Sequence, residues 1–464
     1  MMKRYNRDVN ARGRNKCIQK RLARLKRIYK EIEQDKNRRS RGVYAYGTPA
    51  GASASGLRVR KDPPRRTLAA STYEELQDAV KKANSNDTIQ VTGDISMTGG
   101  LTIPVNKAIT IQSDPLDRHM LTRSPSLGGD MITLLDNSQL FLKDILVRGG
   151  GEEGGAPDAG SIIAVTNNNA RAYLYGGAVL EDNVNKTSSG GAVRVDGDGL
   201  AELCVDGGAI INNAVEGNGQ YGGGVFVVKG VLELRNGSIS GNTAEHGGGA
   251  ASLSSGFILM PTDSAIAINH NKALDGGGVY LNGAAFAMSN GAISENDAQR
   301  YGGGLYMTGN AAFNMSGGSI DHNDAVNGGG IADESLLGAM SVNGEITSNK
   351  AKRMGGGIYI EHDSLSRLNV GDSAVFADNH AEWSTAVHAA ADNLLYNSFV
   401  SPLAEWSAHL TQGYNNYDIS YRKESSGGGG GTPSVFRYAR TNNCRNQIIW
   451  CAATNYCGCA NGRS

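Results

Sequence analysis

Two aspartates invite a catalytic reading of this 464-residue chain. Asp297 and Asp324 each follow directly on an asparagine, Asn296 and Asn323, in consecutive copies of one repeated segment. Hydrolysis of a glycosidic bond needs two carboxyl groups about 5–9.5 Å apart, and equivalent positions of stacked repeats can supply that spacing. The same position in the other copies holds Thr243, Lys272, Lys350 and His380, the variety expected of solvent-facing corner residues. His246, in AEHGGG, has no supporting cluster, and His270, His322 and His380 flank asparagines on different repeats. Four of the six cysteines, Cys444, Cys451, Cys457 and Cys459, are separated by six, five and one residues, a poor match to the paired C-x₂₋₄-C elements of zinc sites. Two disulfides and a reduced tail both remain open for them. Cys204 lies between inward Leu203 and Val205 and so points outward, and neither it nor Cys17 has an evident partner. Phe226, Tyr280, Tyr306 and Tyr359 form an outward aromatic column, interrupted by Ala251 and Ala332. It could stack sugar rings and bind a ligand, or pack under a neighbouring loop. These residues favour a surface over a reaction: no catalytic residue, metal ligand or cofactor is assigned, and a non-catalytic chain is preferred to an enzyme.

The elements that position these residues repeat. GGGVYLNGAAFAMSNGAISENDA begins at Gly276, and related copies begin at Gly222, Gly247, Gly302, Gly328 and Gly355, with a weaker one at Gly190. The triplets start 25, 29, 26, 26 and 27 residues apart, a period that marks a solenoid or array. Within one copy Val279/Leu281 and Phe286/Met288 alternate at the strand period of two, and Ile293 follows. Matching sets are Val225/Val227, Leu232/Leu234, Ile239; Leu305/Met307, Phe313/Met315, Ile320; and Ile358/Ile360, Leu368/Val370, Val375. No segment of the repeat has room for an amphipathic helix, and a four-stranded propeller blade needs about 40 residues. Three short strands per repeat predict an all-β fold, a right-handed parallel β-helix of about ten coils. Asn213, Asn242, Asn271, Asn296, Asn323, Asn349 and Asn379 each stand three residues after Ile or its equivalent. Stacked, they would form a structural ladder of amides along the axis. The glycine runs suit tight corners and match no phosphate-loop spacing.

The GGG[VIL][YF] corner together with I-x-x-N-x-A resembles the Gly-rich right-handed parallel β-helices of bacterial surfaces, which share the pectin-lyase-like fold. The polymorphic outer-membrane proteins carry a similar pair of motifs, GG[AILV] and F-x-x-N, with Phe where this chain mostly has Ile. The likeness spans roughly residues 70–421. STYEELQDAVKKAN, residues 71–84, reads as a short helix capped by Ser71 or Thr72 with Glu74 or Glu75 reaching back, and the stretch is similar to the start of pectin-lyase-like domains, where a helix closes the N-terminal end. GYNNYDISY, Gly413–Tyr421, resembles the closing segment of the bacterial surface group. Enzymes of this fold place catalysis on one outer face, with Asp ligands for calcium or clustered Asp and His. The N-x-D, D-D and G-H-G series of the polygalacturonase type is not seen here.

Three segments follow. Residues 1–66 hold 21 Lys/Arg against 5 Asp/Glu and form a basic arm and linker; the other residues hold 24 against 40. Within the arm Ile18, Leu22, Leu25, Ile28 and Ile32 recur at helical spacing, so it could meet an anionic partner or a membrane surface. Residues 67–421 are the β-helix with its end caps, including degenerate coils over 108–190, and 422–464 are a Gly linker and Cys-containing tail. No signal peptide, wall anchor or transmembrane segment is recognised. The reading preferred here is a non-catalytic, surface-exposed, adhesin-like scaffold, extracellular or at the cell surface, binding a glycan or a host or cell-surface protein. The alternatives are a polysaccharide lyase or glycoside hydrolase of the pectin-lyase-like fold, and a phage or particle-associated structural fibre.

Overall fold

The computed structural model describes residues 65–421, apart from 115, 152–155, 199–200, 336–337, 362–366, 372 and 383–417. Residues 1–64 of the basic arm, most of the segment assigned as the C-terminal cap, and the Cys-containing tail lie outside the described residues.

One repeat shows how the coil is made. After the triplet at Gly276 come strands Val279–Asn282, Ala285–Met288, Ala292–Ser294 and Asp297–Tyr301. Each pairs in parallel with its counterpart one coil on: Val279 with Leu305, Phe286 with Phe313, Ile293 with Ile320, Asp297 with Asp324. The expected parallel β-solenoid therefore forms, with four strands per coil in this region rather than three. The Asn-x-Ala stretch, expected as a corner, continues as a strand because the alanine two residues after each ladder asparagine from Asn242 on is buried. Ala244, Ala273, Ala298, Ala325, Ala351 and Ala381 are all at most 6 % exposed. A side chain this small lets the short strand lie close against the core.

The strands that follow the triplets stack into an 11-stranded sheet, and those that follow the ladder asparagines into an 8-stranded one. The other two faces merge into a 21-stranded sheet. They merge because Glu202–Ile211 and Val231–Ser240 run unbroken across the corner between them. Gly207 and Gly237 turn these strands there, at φ 96° and 108°, values that a side chain disfavours.

Inward residues build one continuous core. Val279, Leu281, Phe286, Met288 and Ile293 belong to it, as do their counterparts Leu305, Met307, Phe313, Met315 and Ile320. At the N-terminal end a helix, Tyr73–Lys82, adds Leu76, Ala79 and Val80 to this core. Thr72 Oγ1 accepts from the Glu75 N–H at 3.2 Å, and the Glu75 carboxylate accepts from the Ser71 N–H and hydroxyl, both at 2.8 Å. These bonds satisfy N–H groups that the first turn would otherwise leave open.

The asparagine ladder forms as expected. The Asn296 backbone N–H and Nδ2 both donate to Asn323 Oδ1, at 3.0 and 2.9 Å, while Nδ2 also donates to the Ile268 carbonyl at 2.9 Å. The same set repeats from Asn242 to Asn349. Each amide thus satisfies a buried N–H of one coil and a carbonyl of another, where no water could reach them. The triplet makes the following corner. Gly276 takes φ +66°, and a Cβ on Gly277 or Gly278 would lie 2.6 Å from the carbonyl oxygen of Gly303 or Gly304.

Candidate functional site

The elbow at the glycine triplets gathers most of the polar and aromatic residues considered above. The residue just before each triplet is Tyr221, His246, Asp275, Tyr301, Asn327 or Met354, and the strand after it carries Phe226, Ala251, Tyr280, Tyr306, Ala332 or Tyr359. The triplet folds the first set over the second. Phe226, Tyr280, Tyr306 and Tyr359 face outward from the coil, yet they are only 8, 5, 5 and 3 % exposed. With Ala251, Ala332 and Met354 they form a second apolar cluster, against which Tyr221 and Tyr301 pack. The Tyr301 ring lies 5.6 Å from that of Tyr306 and 6.4 Å from that of Tyr359. Of the two uses considered for the column, packing under a neighbouring segment is what the geometry provides; the rings are not a free stacking platform. The alanines at 251 and 332, which break the column, alternate with the large rings of the covering row.

Charge is buried with these rings. Asp275, 3 % exposed, accepts from Arg300 Nε at 3.0 Å and from Arg300 Nη2. His246 Nδ1 lies 3.2 Å from the same carboxylate, between the rings of Tyr221 and Tyr280, each 5.0 Å away. Burial alone would lower the Arg300 pKa, but the hydrogen bonds and charge of Asp275 outweigh it and raise it. Further along, Tyr306 donates to Glu334 Oε2 at 2.5 Å and Tyr359 donates to Glu361. Burial first, and then the Glu334 carboxylate, push the Tyr306 phenol far above its usual range, so it stays a donor at any working pH.

Asp297 and Asp324 are brought together as register partners on adjacent coils. They sit within a column that runs Thr243, Lys272, Asp297, Asp324, Lys350, His380. Each aspartate therefore has the other on one side and a lysine on the other, and Lys352 Nζ comes within 3.9 Å of Asp324. Burial raises the Asp324 carboxyl; the Lys352 charge opposes this and the Asp297 charge adds to it. The pair stands at the centre of a balanced charge row, a lysine on either side.

The remaining histidines have a conformational explanation. His270 and His322 precede ladder asparagines with φ +54°, in a row with Asn212 (φ 55°), Gly241 (φ 67°), Glu295 (φ 56°), Ser348 (φ 56°) and Asp378 (φ 54°). Short polar residues and His are enriched at such left-handed turns, so the row records a corner geometry. The structure does not bring these histidines to His246.

Three features escaped the sequence reading. The ladder begins one coil earlier, at Asn183, whose backbone N–H donates to Asn213 Oδ1 at 3.1 Å. It ends in a carboxyl: Asn379 Nδ2 donates to Asp418 Oδ1 at 2.9 Å. Asn183 stands three residues after Leu180, the spacing that marked the other rungs, so its signal was present. The third feature is the covering row, signalled only by the residue just before each triplet.

Among the described residues no helix is long and apolar enough to cross a membrane. No family model matches the chain, and neither the curated proteins nor the solved structures give a match.

Proposed function

We propose that this chain is a non-catalytic, surface-exposed scaffold of the adhesin-like kind, acting at the cell surface or outside the cell and binding a glycan or a protein along its length. One observation carries the reading: the coils stack in register, so every outer position becomes a straight row repeating at about 4.8 Å, a form suited to an extended ligand. The rows also neutralise themselves, as in Lys272, Asp297, Asp324 and Lys350. The likeness of the GGG[VIL][YF] and I-x-x-N-x-A corners to bacterial surface β-helices supports the location. The basic arm supports an additional contact with an anionic partner or a membrane surface. The test is to apply the full-length chain to a glycan array and a panel of cell-surface proteins, and to incubate it with polysaccharides while following new reducing ends and unsaturated products. Retention without turnover is expected. Turnover would overturn the reading, as would co-purification of the native chain with a phage or other particle in place of binding.

A second reading, a glycoside hydrolase, is favoured by one observation, the adjacency of Asp297 and Asp324 with the Asp324 carboxyl raised by burial. It requires that Asp324→Asn abolish any turnover found, by a factor of about 10² or more.

A further inference from the structure

On the outer side of the 21-stranded sheet, away from the elbow, three ligating side chains converge. Glu202 and Cys204 are two residues apart on one strand, Glu202–Ile211, and so leave the same face. Cys204 pairs in register with Glu233 on the next coil. One ligand atom of each of the three lies within 4.8 Å of the other two. The cysteine points outward, as its neighbours Leu203 and Val205 require, but it is only 5 % exposed, and Glu233 only 4 %. Cys204 forms no disulfide. One sulfur and two carboxylates thus meet in a largely buried cluster, the mixed donor set that a thiophilic cation takes.

We propose that Glu202, Cys204 and Glu233 form a binding site for one thiophilic divalent cation of the zinc class. Three protein ligands leave a fourth position for water or a ligand atom, and the sulfur selects against magnesium and calcium, which take all-oxygen sites. Arg235 Nη2 donates to Glu233 Oε1 at 2.5 Å and Arg171 Nε lies 3.8 Å from Glu202 Oε2, so each carboxylate has a cation behind it that orients it. Burial first, then the charges of Glu202 and Glu233, raise the Cys204 thiol well above its usual range. Cysteine ligates as the thiolate, so a cation bound here displaces the thiol proton. The site ties one coil to the next through side chains.

The test is made on the full-length chain with Cys17, Cys444, Cys451, Cys457 and Cys459 replaced by serine, so that Cys204 is the only thiol. Titration with Co²⁺ is expected to give one ion per chain with a thiolate-to-cobalt charge-transfer band. Zn²⁺ should displace the cobalt, release about one proton per ion and raise the melting temperature, while Mg²⁺ and Ca²⁺ do neither. Cys204→Ser should remove the band and the proton release, and Glu233→Gln should weaken Zn²⁺ by about tenfold or more. Glu202→Gln, at the least buried ligand, should weaken binding with an unchanged circular dichroism spectrum, which separates loss of a ligand from loss of fold. A parent protein with no charge-transfer band, or a band that survives Cys204→Ser, overturns the proposal.

Discussion

The coils after Asn183 and those before it satisfy the same buried backbone by different chemistry. From Asn183 to Asn379 the corner is served by stacked asparagines, one per coil; from Asn213 on, each amide donates and accepts across coils, while Asn183 joins the row through its backbone N–H. Before Asn183 that row is missing and arginines act in its place. Arg123, 1 % exposed, donates Nη1 to the carbonyls of Leu127 and Gly129 at 3.1 and 2.6 Å, and Nη2 to those of Gly160 and Ser161 at 3.0 and 3.2 Å. Asp130 binds the Ser161 N–H at 2.8 Å with one oxygen and Arg194 Nη2 at 3.0 Å with the other. The ladder is modular, because an added coil brings its own rung. The guanidinium is not: one side chain serves four carbonyls in two chain segments, 127–129 and 160–161. The clean sequence repeat after residue 222 lies wholly within the ladder, and the degenerate coils over 108–190 lie mostly before it.

The comparison predicts its largest effect at Arg123. Burial holds its pKa down to about 10, with Asp130 and Asp158 working against that shift, so it remains a cation at neutral pH. Arg123→Met removes four charge-assisted bonds at once, and a hydrogen bond to a charged group is worth about 1.5–3 kcal/mol. The carbonyls of Gly129, Gly160 and Ser161 keep donors in the Gly160 N–H, Asn183 Nδ2 and the Met131 N–H, and the Leu127 carbonyl loses the donor that Arg123 gave it. We expect a loss on the order of 3 kcal/mol or more in chemical denaturation, with Arg123→Lys in between because lysine cannot reach four acceptors from one plane. A loss below about 1 kcal/mol would mean that the N-terminal coils do not depend on this side chain.

A ladder rung should cost somewhat less. Asn296→Ala removes the acceptor for two donors of Asn271 and the donor to the Ile268 carbonyl, and we expect about 2–3 kcal/mol. Modularity is the sharper test. Asn296→Ala combined with Asn323→Ala should fall short of additivity, because the bond between them is counted in both single variants, while Asn296→Ala with Arg123→Met should be additive. Amide exchange should show loss of protection confined to coils next to the altered rung, as expected of an array with nearest-neighbour coupling.

Much of this was legible because the repeat repeats its physics. The Ile-x-x-Asn spacing gave seven rungs, and the two-residue alternation gave the inward row through Phe286 and Phe313. What was not legible depends on where the chain returns. Arg123 finds its acceptors at distances of 4 to 38 residues along the chain, with no pattern to announce them. The parity of Tyr280 and Tyr306 showed that they point outward, but not that Tyr301 and His246 cover them. Asn183 was missed because its triplet has decayed to Gly190-Gly191-Ala192, although its own spacing is intact.

The two ends of the ladder sharpen the comparison further. Asp418 closes it with a carboxylate where every other rung is an amide, and its Oδ2 has no hydrogen-bond partner. Burial raises its pKa, with the Asn379 bond opposing and the Asp378 charge adding. A carboxyl with a raised folded-state pKa binds its proton more tightly when folded, so its contribution to stability is present below the unfolded-state value near 3.9 and is lost as pH rises through the folded value. Asp418→Asn removes that loss and extends the amide row. We expect a higher melting temperature than wild type at pH 7 and a difference that shrinks on acidification. An unchanged or lower melting temperature at pH 7 would show that the ladder does not need an amide at its end.

The smallest effect belongs to a single hydroxyl at the elbow, where packing rather than hydrogen bonding carries the structure. Tyr306→Phe keeps the ring against Tyr280 and Tyr301, at 5.4 and 5.6 Å, and removes only the bond to Glu334. That carboxylate is part-exposed and can turn to water, so the cost should be about 1 kcal/mol. Tyr306→Ala removes the ring as well and should cost about 3–5 kcal/mol. Near-equal losses from the two variants would shift the weight in this region from the ring to the hydroxyl. The elbow would then resemble the arginine-held coils, with a polar contact holding each corner, and would lose its likeness to a second apolar core folded onto the outside of the first.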